Sequence, residues 1–494
     1  MVWVVLLMAV LAGVLVWTRF PSRKRMPGGT GAPVRKLVAR KPEFQIRDPL
    51  ALLGTNAVPD LVNILRERTE PQWIFQLRQK VWNDLPRAYQ ARFPDLHPVP
   101  GAQVRRTALF GLRFLGPEAE PALPDILRIA LTETNLRTRA AALVAALNVA
   151  PQAPGTFEAW RAEWETTNHF SRHDLAIYLK MPRVPIPAAV PYLLAEMTNQ
   201  HSQAVQPVVE ALGFFGDAAR PALPEMIKLF EAGGIPGDLL LAFKRLGPLA
   251  SGAVPALTAR LRKQGPQKEK VFDTNTGTMI EIDEGPGLLA GTLRALGAIG
   301  LEAKAALPAI APFLTNSDLI IRFLAAAAQV RAGGSIQEAM PILVAGLEQE
   351  WQRHIKAILL VETPEGLPGA GTYGPEAAAI LCGELGGAAG QALAALERRL
   401  QDEHPFVRIA AAQAIWRISH DPKESLPTLV AVLDSVGAPD SRGGPGADYE
   451  LVRAIEAIEE MGPAGRSAIP NIEAVRTFSM AARHAANEAL RKLK

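Results

Sequence analysis

LGPEAEPALPDIL, residues 115–127, decides how the chain folds, because close copies of it return further along. They read FGDAARPALPEMI from Phe215, LGPLASGAVPALT from Leu246, IGLEAKAALPAIA from Ile299 and MGPAGRSAIPNIE from Met461. Each copy has a Gly after an apolar residue, a few small residues, and an apolar-Pro pair that opens an amphipathic run. Repetition at a period of tens of residues means stacked helical units, each burying its apolar face against its neighbours. Such a chain offers a long surface instead of a single cleft.

The period follows from the Pro of each copy, or the residue in its place: Pro59, Pro124, Pro191, Pro224, Pro255, Pro308, Pro341, Ala394, Pro427 and Pro470. The gaps are 65, 67, 33, 31, 53, 33, 53, 33 and 43. A unit of 31 to 33 residues accounts for four of them directly and for 65 and 67 as doubled units. The remaining three are one unit plus insertions of roughly 20, 20 and 10 residues. These place insertions at about 264–286, 361–375 and 434–448.

Within a unit the pattern is helical. Two and six positions after the Pro stand apolar pairs: Leu61/Leu65, Leu193/Met197, Met226/Phe230, Leu257/Leu261, Ile310/Leu314, Leu343/Leu347, Leu396/Leu400 and Leu429/Leu433. An i, i+4 spacing puts both side chains on one helix face. A second amphipathic run follows, as in DLIIRFLAAAAQV from Asp318 and HPFVRIAAAQAIWRI from His404. Its Ala content lets helices approach closely, and the Gly after it stops the helix. Because Pro lacks an N–H and clashes with the preceding turn, it is expected to kink or restart the first helix. The unit is therefore helix, turn, helix.

A first helix bent at a central Pro, then a second opening with Val407-Arg408 or Ile321-Arg322 and running into Ala-rich sequence, resembles the HEAT repeat of bacterial HEAT-repeat proteins. The resemblance covers residues 50–494 and implies an all-α, right-handed α-solenoid of about 10–12 helix pairs. It further implies a ladder of turn Asp and helix Arg, here Asp318/Arg322 and Asp402/Arg408. It says almost nothing of activity, since such repeats serve scaffolds, transport adaptors, lyase-like proteins and a few enzymes. Composition agrees with the fold: 48% hydrophobic but only 6% aromatic residues make a core of Ala, Leu, Ile and Val. One elongated domain, 49–494, is expected.

Before it, Val2 to Trp17 is an uncharged run containing Trp3, Leu7, Leu11 and Leu15, followed by Arg19, Arg23, Lys24 and Arg25. At 1.5 Å per residue it spans about 24 Å of a hydrocarbon core roughly 30 Å thick, with Trp3 and Trp17 at interfacial positions. A cleaved signal needs positive charge before the run and a small-x-small site after it; neither is present here. Residues 1–20 therefore read as a single-pass membrane anchor, and 21–48 as a basic Pro/Gly-rich linker. Basic residues on the C-terminal flank favour a cytoplasmic solenoid over an exported one.

Residues 1–47 hold nine Lys/Arg and one acidic residue, which leaves 44 basic and 48 acidic residues for the rest, a net of −4. A nucleic-acid solenoid needs a basic stripe along its repeats. The basic segment instead suits topology and anionic headgroups.

Chemistry-bearing constellations are few. His169 and His173 stand at i, i+4 beside Asp174, a spacing that could present two imidazoles to a metal, but no Glu lies between them as in a zinc protease. Asp273, Asn275 and Gly277 with Glu281 and Glu284 have part of a calcium-loop spacing, with Thr278 where Gly is needed. Alternation in Val271-Phe272 and Met279-Ile280-Glu281-Ile282 around Asn275-Thr276-Gly277 reads better as a β-hairpin in the first insertion. Cys382, the one thiol, reads as a small core residue. The expectation is a membrane-tethered protein-interaction scaffold with protein partners and no cofactor, metal, small-molecule ligand or catalysis of its own. An enzyme or cofactor-handling, lyase-type module is the alternative; a nucleic-acid binder is disfavoured by the acidic repeats.

Overall fold

The computed structural model describes Val34, 37–38, Leu50, 53–67 and 72–493, apart from 93–97, 167–170, 181–184, 200–201, 264–267, 274–277, 284, 349–373, 438–446, 477 and 479. Contacts divide the chain into two compact units, Met1–Pro191 and Tyr192–Lys494, where one elongated domain was expected. The division follows MPRVPIPAAVP, residues 181–191, a stretch with four prolines, which lack a backbone N–H donor.

The first unit contains α1 (Val58–Arg66), α2 (Gln72–Asp84), α3 (Arg87–Arg92), α4 (Gly101–Leu115), α5 (Leu123–Thr132), α6 (Leu136–Val149), α7 (Pro154–Thr166) and α8 (Arg172–Lys180). Helix α9 (Val190–Met197) crosses the division. In the second unit, second helices α10 (Val205–Gly213) and α12 (Pro236–Leu246) flank the first helix α11 (Leu223–Glu231). The alternation continues through α13 (Val254–Arg262), α14 (Gly285–Ile299), α15 (Leu307–Ile310), α16 (Leu319–Arg331), α17 (Ile336–Glu348) and α18 (Gly374–Leu385). It ends with α19 (Leu393–Arg399), α20 (Pro405–Ser419), α21 (Pro422–Gly437), α22 (Ala447–Glu460), α23 (Ile469–Val475) and α24 (Met480–Leu493). Second helices pack side by side: α12 lies on α10 and α14, α16 on α14, α20 on α18 and α22, and α24 on α22.

The repeated phrase is the joint between a second helix and the next first helix. Its Gly adopts positive φ at every copy, +59° at Gly116, +52° at Gly216, +56° at Gly247, +72° at Gly300, +54° at Gly386 and +54° at Gly462. At Gly247 φ is 56° and ψ −130°, a combination that a Cβ would strain. A 3-10 helix follows, Gly116–Ala122, Gly216–Ala222, Gly247–Ala253, Gly300–Ala306, Gly386–Ala392 and Gly462–Ala468. With three residues per turn, positions three and six after the Gly share a face. They are the fully buried pairs Ala119/Ala122, Ala219/Ala222, Ala250/Ala253, Ala303/Ala306 and Ala389/Ala392. Pro then enters at the first turn of the α-helix, as in α5, α11, α13, α15 and α23, where its missing N–H costs nothing. The Pro therefore restarts the helix in these copies; only Pro341 and Pro427 lie inside a continuous α-helix.

The expected apolar pairs are buried except for Leu314, which is half-buried. There Ala311–Thr315 winds as a 3-10 helix, so the residue four positions on no longer returns to the α-helical face.

All three insertions fall at the same kind of connection, from a first helix to its second: between α13 and α14, α17 and α18, and α21 and α22. In the first, β1 (Lys268–Asp273) and β2 (Thr278–Asp283) pair antiparallel with Val271 opposite Ile280 and Asp273 opposite Thr278. The turn residues Asn275 to Gly277, most of 361–375, and 438–446 lie outside the described residues.

At the N-terminus, Val2, Trp3, Leu7, Leu11, Leu15, Trp17, Arg19, Arg23, Lys24 and Arg25 also lie outside them. The segment expected as linker already contributes Val34 and Val38, both buried and helical. Two other stretches, Gly287–Thr315 and Gly374–Arg399, are apolar and long enough to cross a membrane by length and composition alone. Each is interrupted by a positive-φ glycine, Gly300 or Gly386, and 44% of each apolar window is buried. That is the character of repeat core.

Candidate functional site

The second helices of the second unit carry the most regular surface chemistry. Three residues before the joint glycine, Gly213, Gly297 and Gly383 lie against Ala242, Ala328 and Ala414 of the following second helix. A Cβ on them would stand 3.1, 3.3 and 3.1 Å from those Cα atoms. One turn beyond each Ala comes an Arg on the same helix stripe: Arg245, Arg331 and Arg417. The guanidinium of Arg245 sits 3.9 Å from the ring centroid of Phe214, the C-cap residue of the preceding second helix. Arg331 donates to both carboxylate oxygens of Glu384 on the next one, at 2.8 and 2.7 Å. Arg417 does the same to Glu460, at 2.6 and 2.8 Å, and Gln413 Nε2 adds a bond of 2.6 Å. Small residues set the helix spacing, and the arginines bridge the helices at the surface.

Helix α22 extends this face. Tyr449, Arg453, Glu456 and Glu460 fall at i, i+4, i+7 and i+11, one stripe, and the Tyr449 ring lies 5.4 Å from that of Phe406 on α20. Burial, with a smaller contribution from the Glu376 and Glu456 charges, pushes the Tyr449 hydroxyl up against the opposing effect of Arg453. Burial also holds the Glu450 and Glu456 carboxyls above the usual carboxylate range, opposed by Arg408 and Arg453 respectively. Glu460 differs: burial pushes it up, but the hydrogen bonds from Arg417 and Gln413 outweigh that and hold it below the usual range.

These opposite shifts give opposite pH dependence. A carboxyl lowered in the folded state stabilises above its unfolded pKa and loses that contribution as pH falls through the folded value; a raised one stabilises at acid pH and loses it on the way up. In urea unfolding at neutral pH, Glu460→Gln is expected to lower the midpoint and Glu450→Gln to raise it. Both differences should shrink below the ordinary carboxylate range of about 4 to 4.5. A Glu460→Gln protein as stable as the parent at neutral pH contradicts the assignment.

No known family is matched. Neither a family profile nor a curated protein matches the chain. Among solved structures, the complex of CpcE and CpcF of phycocyanin lyase from Nostoc sp. PCC7120 matches at 19% identity, covering 62% of this chain and 93% of that one, with a TM-score of 0.27. Kap121p bound to Pho4p matches at 11% identity over 98% of this chain and 57% of its own, with a TM-score of 0.35. Kap121p bound to RanGTP matches at 15% identity over 93% and 48%, with a TM-score of 0.30. At these scores the superpositions add nothing to the helix pairing described above.

The residues expected to form the Asp–Arg ladder serve their own turns. Asp318 Oδ1 accepts from the N–H groups of Ile320 and Ile321 at 2.7 and 3.4 Å, an N-cap of α16. Arg322 Nη1 donates to the carbonyls of Asn316 and Ser317 at 2.6 and 3.2 Å. Asp402 accepts from the His404 N–H at 3.0 Å and from Arg399 at 2.8 Å, while Arg408 donates to the carbonyls of Asp402 and Glu403 at 2.8 and 3.2 Å. Arg139 in the first unit repeats the arrangement on the Glu133 carbonyl at 2.9 Å, and it is there that carboxylates join in: Arg105 with Glu133 at 2.8 Å and Arg139 with Glu163 at 3.2 Å.

Of the metal candidates, His169 lies outside the described residues, and Asp174 at the start of α8 accepts from Ser171 Oγ at 2.6 Å. Among the described residues no three His, Cys, Asp or Glu side chains gather as a metal site. Asp273 and Glu281 stand on β1 and β2, while Asn275, Gly277 and Glu284 lie outside the described residues. Cys382 is fully buried on α18, and burial pushes its thiol up to about 12, so it stays protonated and unreactive at neutral pH. The arginine row was missed from sequence, yet a signal was there. AFKR, AQVR and AIWR, ending at Arg245, Arg331 and Arg417, share one A-x-x-R spacing, and GFFG, GAIG and GELG share G-x-x-G.

Proposed function

We propose that this protein is a membrane-tethered scaffold that binds protein partners along the second-helix face of its second unit, without catalysis of its own. The observation that carries the reading is the row of bridged side chains from Arg245 through Arg331 and Arg417 to the Tyr449/Arg453 stripe of α22. Arg and Tyr combine large contact area with hydrogen bonding and are enriched at binding hot spots. Spread over several helices, they suit many shallow contacts in place of one deep pocket. The tether is supported by the Val2 to Trp17 run and the basic residues after it.

A photo-crosslinkable residue in place of Gln413, on the second-helix face, is expected to capture one or two proteins in stoichiometric yield from native membranes. The same residue in place of the exposed Glu397 on the first helix α19 is expected to capture none. Equal capture from both positions, or a purified protein carrying a tightly bound small molecule and no protein partner, contradicts the scaffold.

A further inference from the structure

Helices α2 and α3 stand apart from the repeat pattern. They occupy part of the first doubled unit, between Pro59 and Pro124, and the structure buries little of them. Among the described side chains of α2 only Trp82 is buried, and on α3 none is. Gln90 Nε2 donates to the carbonyls of Trp82 and Leu85 at 2.9 and 3.0 Å, which ties α3 to the C-terminal end of α2.

What these two helices expose is unusual for the chain. Trp73 is 65% and Tyr89 59% exposed, among the most exposed large apolar side chains of the described residues. On the same two helices Lys80, Arg87 and Arg92 are exposed, with Asp84 the one acidic residue of 72–92. Residues 72–92 hold four basic residues and one acidic, a net of +3, where residues 48–494 as a whole are net acidic. They also hold four aromatic residues, Trp73, Phe75, Trp82 and Tyr89, in a chain with 6% aromatic content. Along α2 the exposed stripe reads Trp73, Gln76, Lys80, Asp84, one large aromatic among polar residues. Trp and Tyr beside Lys and Arg, on an otherwise polar surface, are the chemistry of the headgroup region of a bilayer.

We infer that α2 and α3 form a contact for an anionic phospholipid surface, with Trp73 and Tyr89 entering the headgroup layer and Lys80, Arg87 and Arg92 meeting lipid phosphates. The occupant is chosen by charge complementarity. The inference rests on the tether of the proposed function, which would hold the first unit close to a bilayer. The contact would fix that unit against the membrane.

The test uses the full-length chain with Ala91→Cys, an exposed position on α3, labelled with the environment-sensitive fluorophore NBD; buried Cys382 stays unlabelled. The chain is reconstituted into nanodiscs of phosphatidylcholine alone or of phosphatidylcholine and phosphatidylglycerol in equal parts. Blue-shifted, brighter emission is expected only in the anionic discs, and it should be lost in high salt and in Lys80→Glu/Arg87→Glu, whose side chains are exposed and leave the fold intact. Water-like emission in both lipids overturns the inference, as does a blue shift indifferent to charge or a residue-91 crosslink to a protein in native membranes. A chain that does not enter discs contradicts the tether, and anionic vesicles added to the same labelled protein then decide the contact by the same emission shift.

Discussion

Replacing Gly383 by Val is expected to cost about 3 kcal/mol of stability, as overpacking between two rigid helices does. A Cβ at this position would lie 3.1 Å from the Cα of Ala414 and 3.4 Å from its Cβ, so the obstacle is backbone and cannot rotate away. The branched Val adds two further carbons to the same gap. Relief requires α18 and α20 to separate, which breaks the contact made by Ala414 and moves Arg417 away from Glu460. Gly383→Ala loses far less, because Ala regains roughly 1 kcal/mol of helix propensity over Gly. Gly213 and Gly297 stand in the same relation to Ala242 and Ala328, so Val there should cost a similar amount. Urea midpoints of the three Val variants check this; a midpoint unchanged by Gly383→Val shows that the second helices are not in contact at these points.

Trp160→Ala is expected to be as damaging in the first unit, at about 3–5 kcal/mol. The indole is fully buried on α7, its ring centroid lies 4.8 Å from that of Trp164, and its Nε1 donates to the Leu175 carbonyl on α8 at 3.1 Å. Truncation leaves a cavity beside Trp164 and Phe157, which could enter it only by leaving their own packing. Trp160→Phe keeps part of the volume and loses the hydrogen bond, so its cost should fall between. Hydrogen exchange should report the loss first in α7 and α8. Unaltered protection of these helices in Trp160→Ala refutes the placement of the indole.

Much of the helical architecture was legible because two independent signals coincide. The Pro-anchored period marks the units, and the i, i+4 apolar pairs mark the buried face of each first helix. The joint was legible only as a Gly followed by small residues. That Gly116 to Ala122 and its copies wind as 3-10 helices depends on spacing three, Ala119 with Ala122, and this overlaps the spacing of an α-helix too closely to be separated by eye. Leu314 shows the consequence, since the α-helical spacing put it on the buried face and the 3-10 winding moved it off. The division near Pro191 was hidden for another reason: the repeat period continues across it, from Pro191 to Pro224. The candidate site was less legible still. The arginines of the second-helix face reach from one unit to the next, to Phe214, Glu384 and Glu460, and pairing at that range follows from helix stacking that local sequence does not encode. Asp318 and Arg322 erred in the opposite direction. The family resemblance implied a ladder through them, but the helix N-terminus and the turn carbonyls offered each a nearer partner.

At the six copies of the joint, a glycine at positive φ turns a second helix into the 3-10 segment that leads to the next first helix. Gly386 and Gly387 are adjacent in that segment and should respond in opposite ways to the same change. Gly386 has φ +54°, whereas Gly387 has ordinary φ and nothing within 4 Å of the place a Cβ would take. Urea unfolding of Gly386→Ala should show a loss of about 1–3 kcal/mol from strain at positive φ, and Gly387→Ala no loss or a gain of about 0.4–1 kcal/mol from a stiffer unfolded chain. Equal effects at the two positions, or a neutral Gly386→Ala, would contradict the joint and with it the unit from which the chain is built.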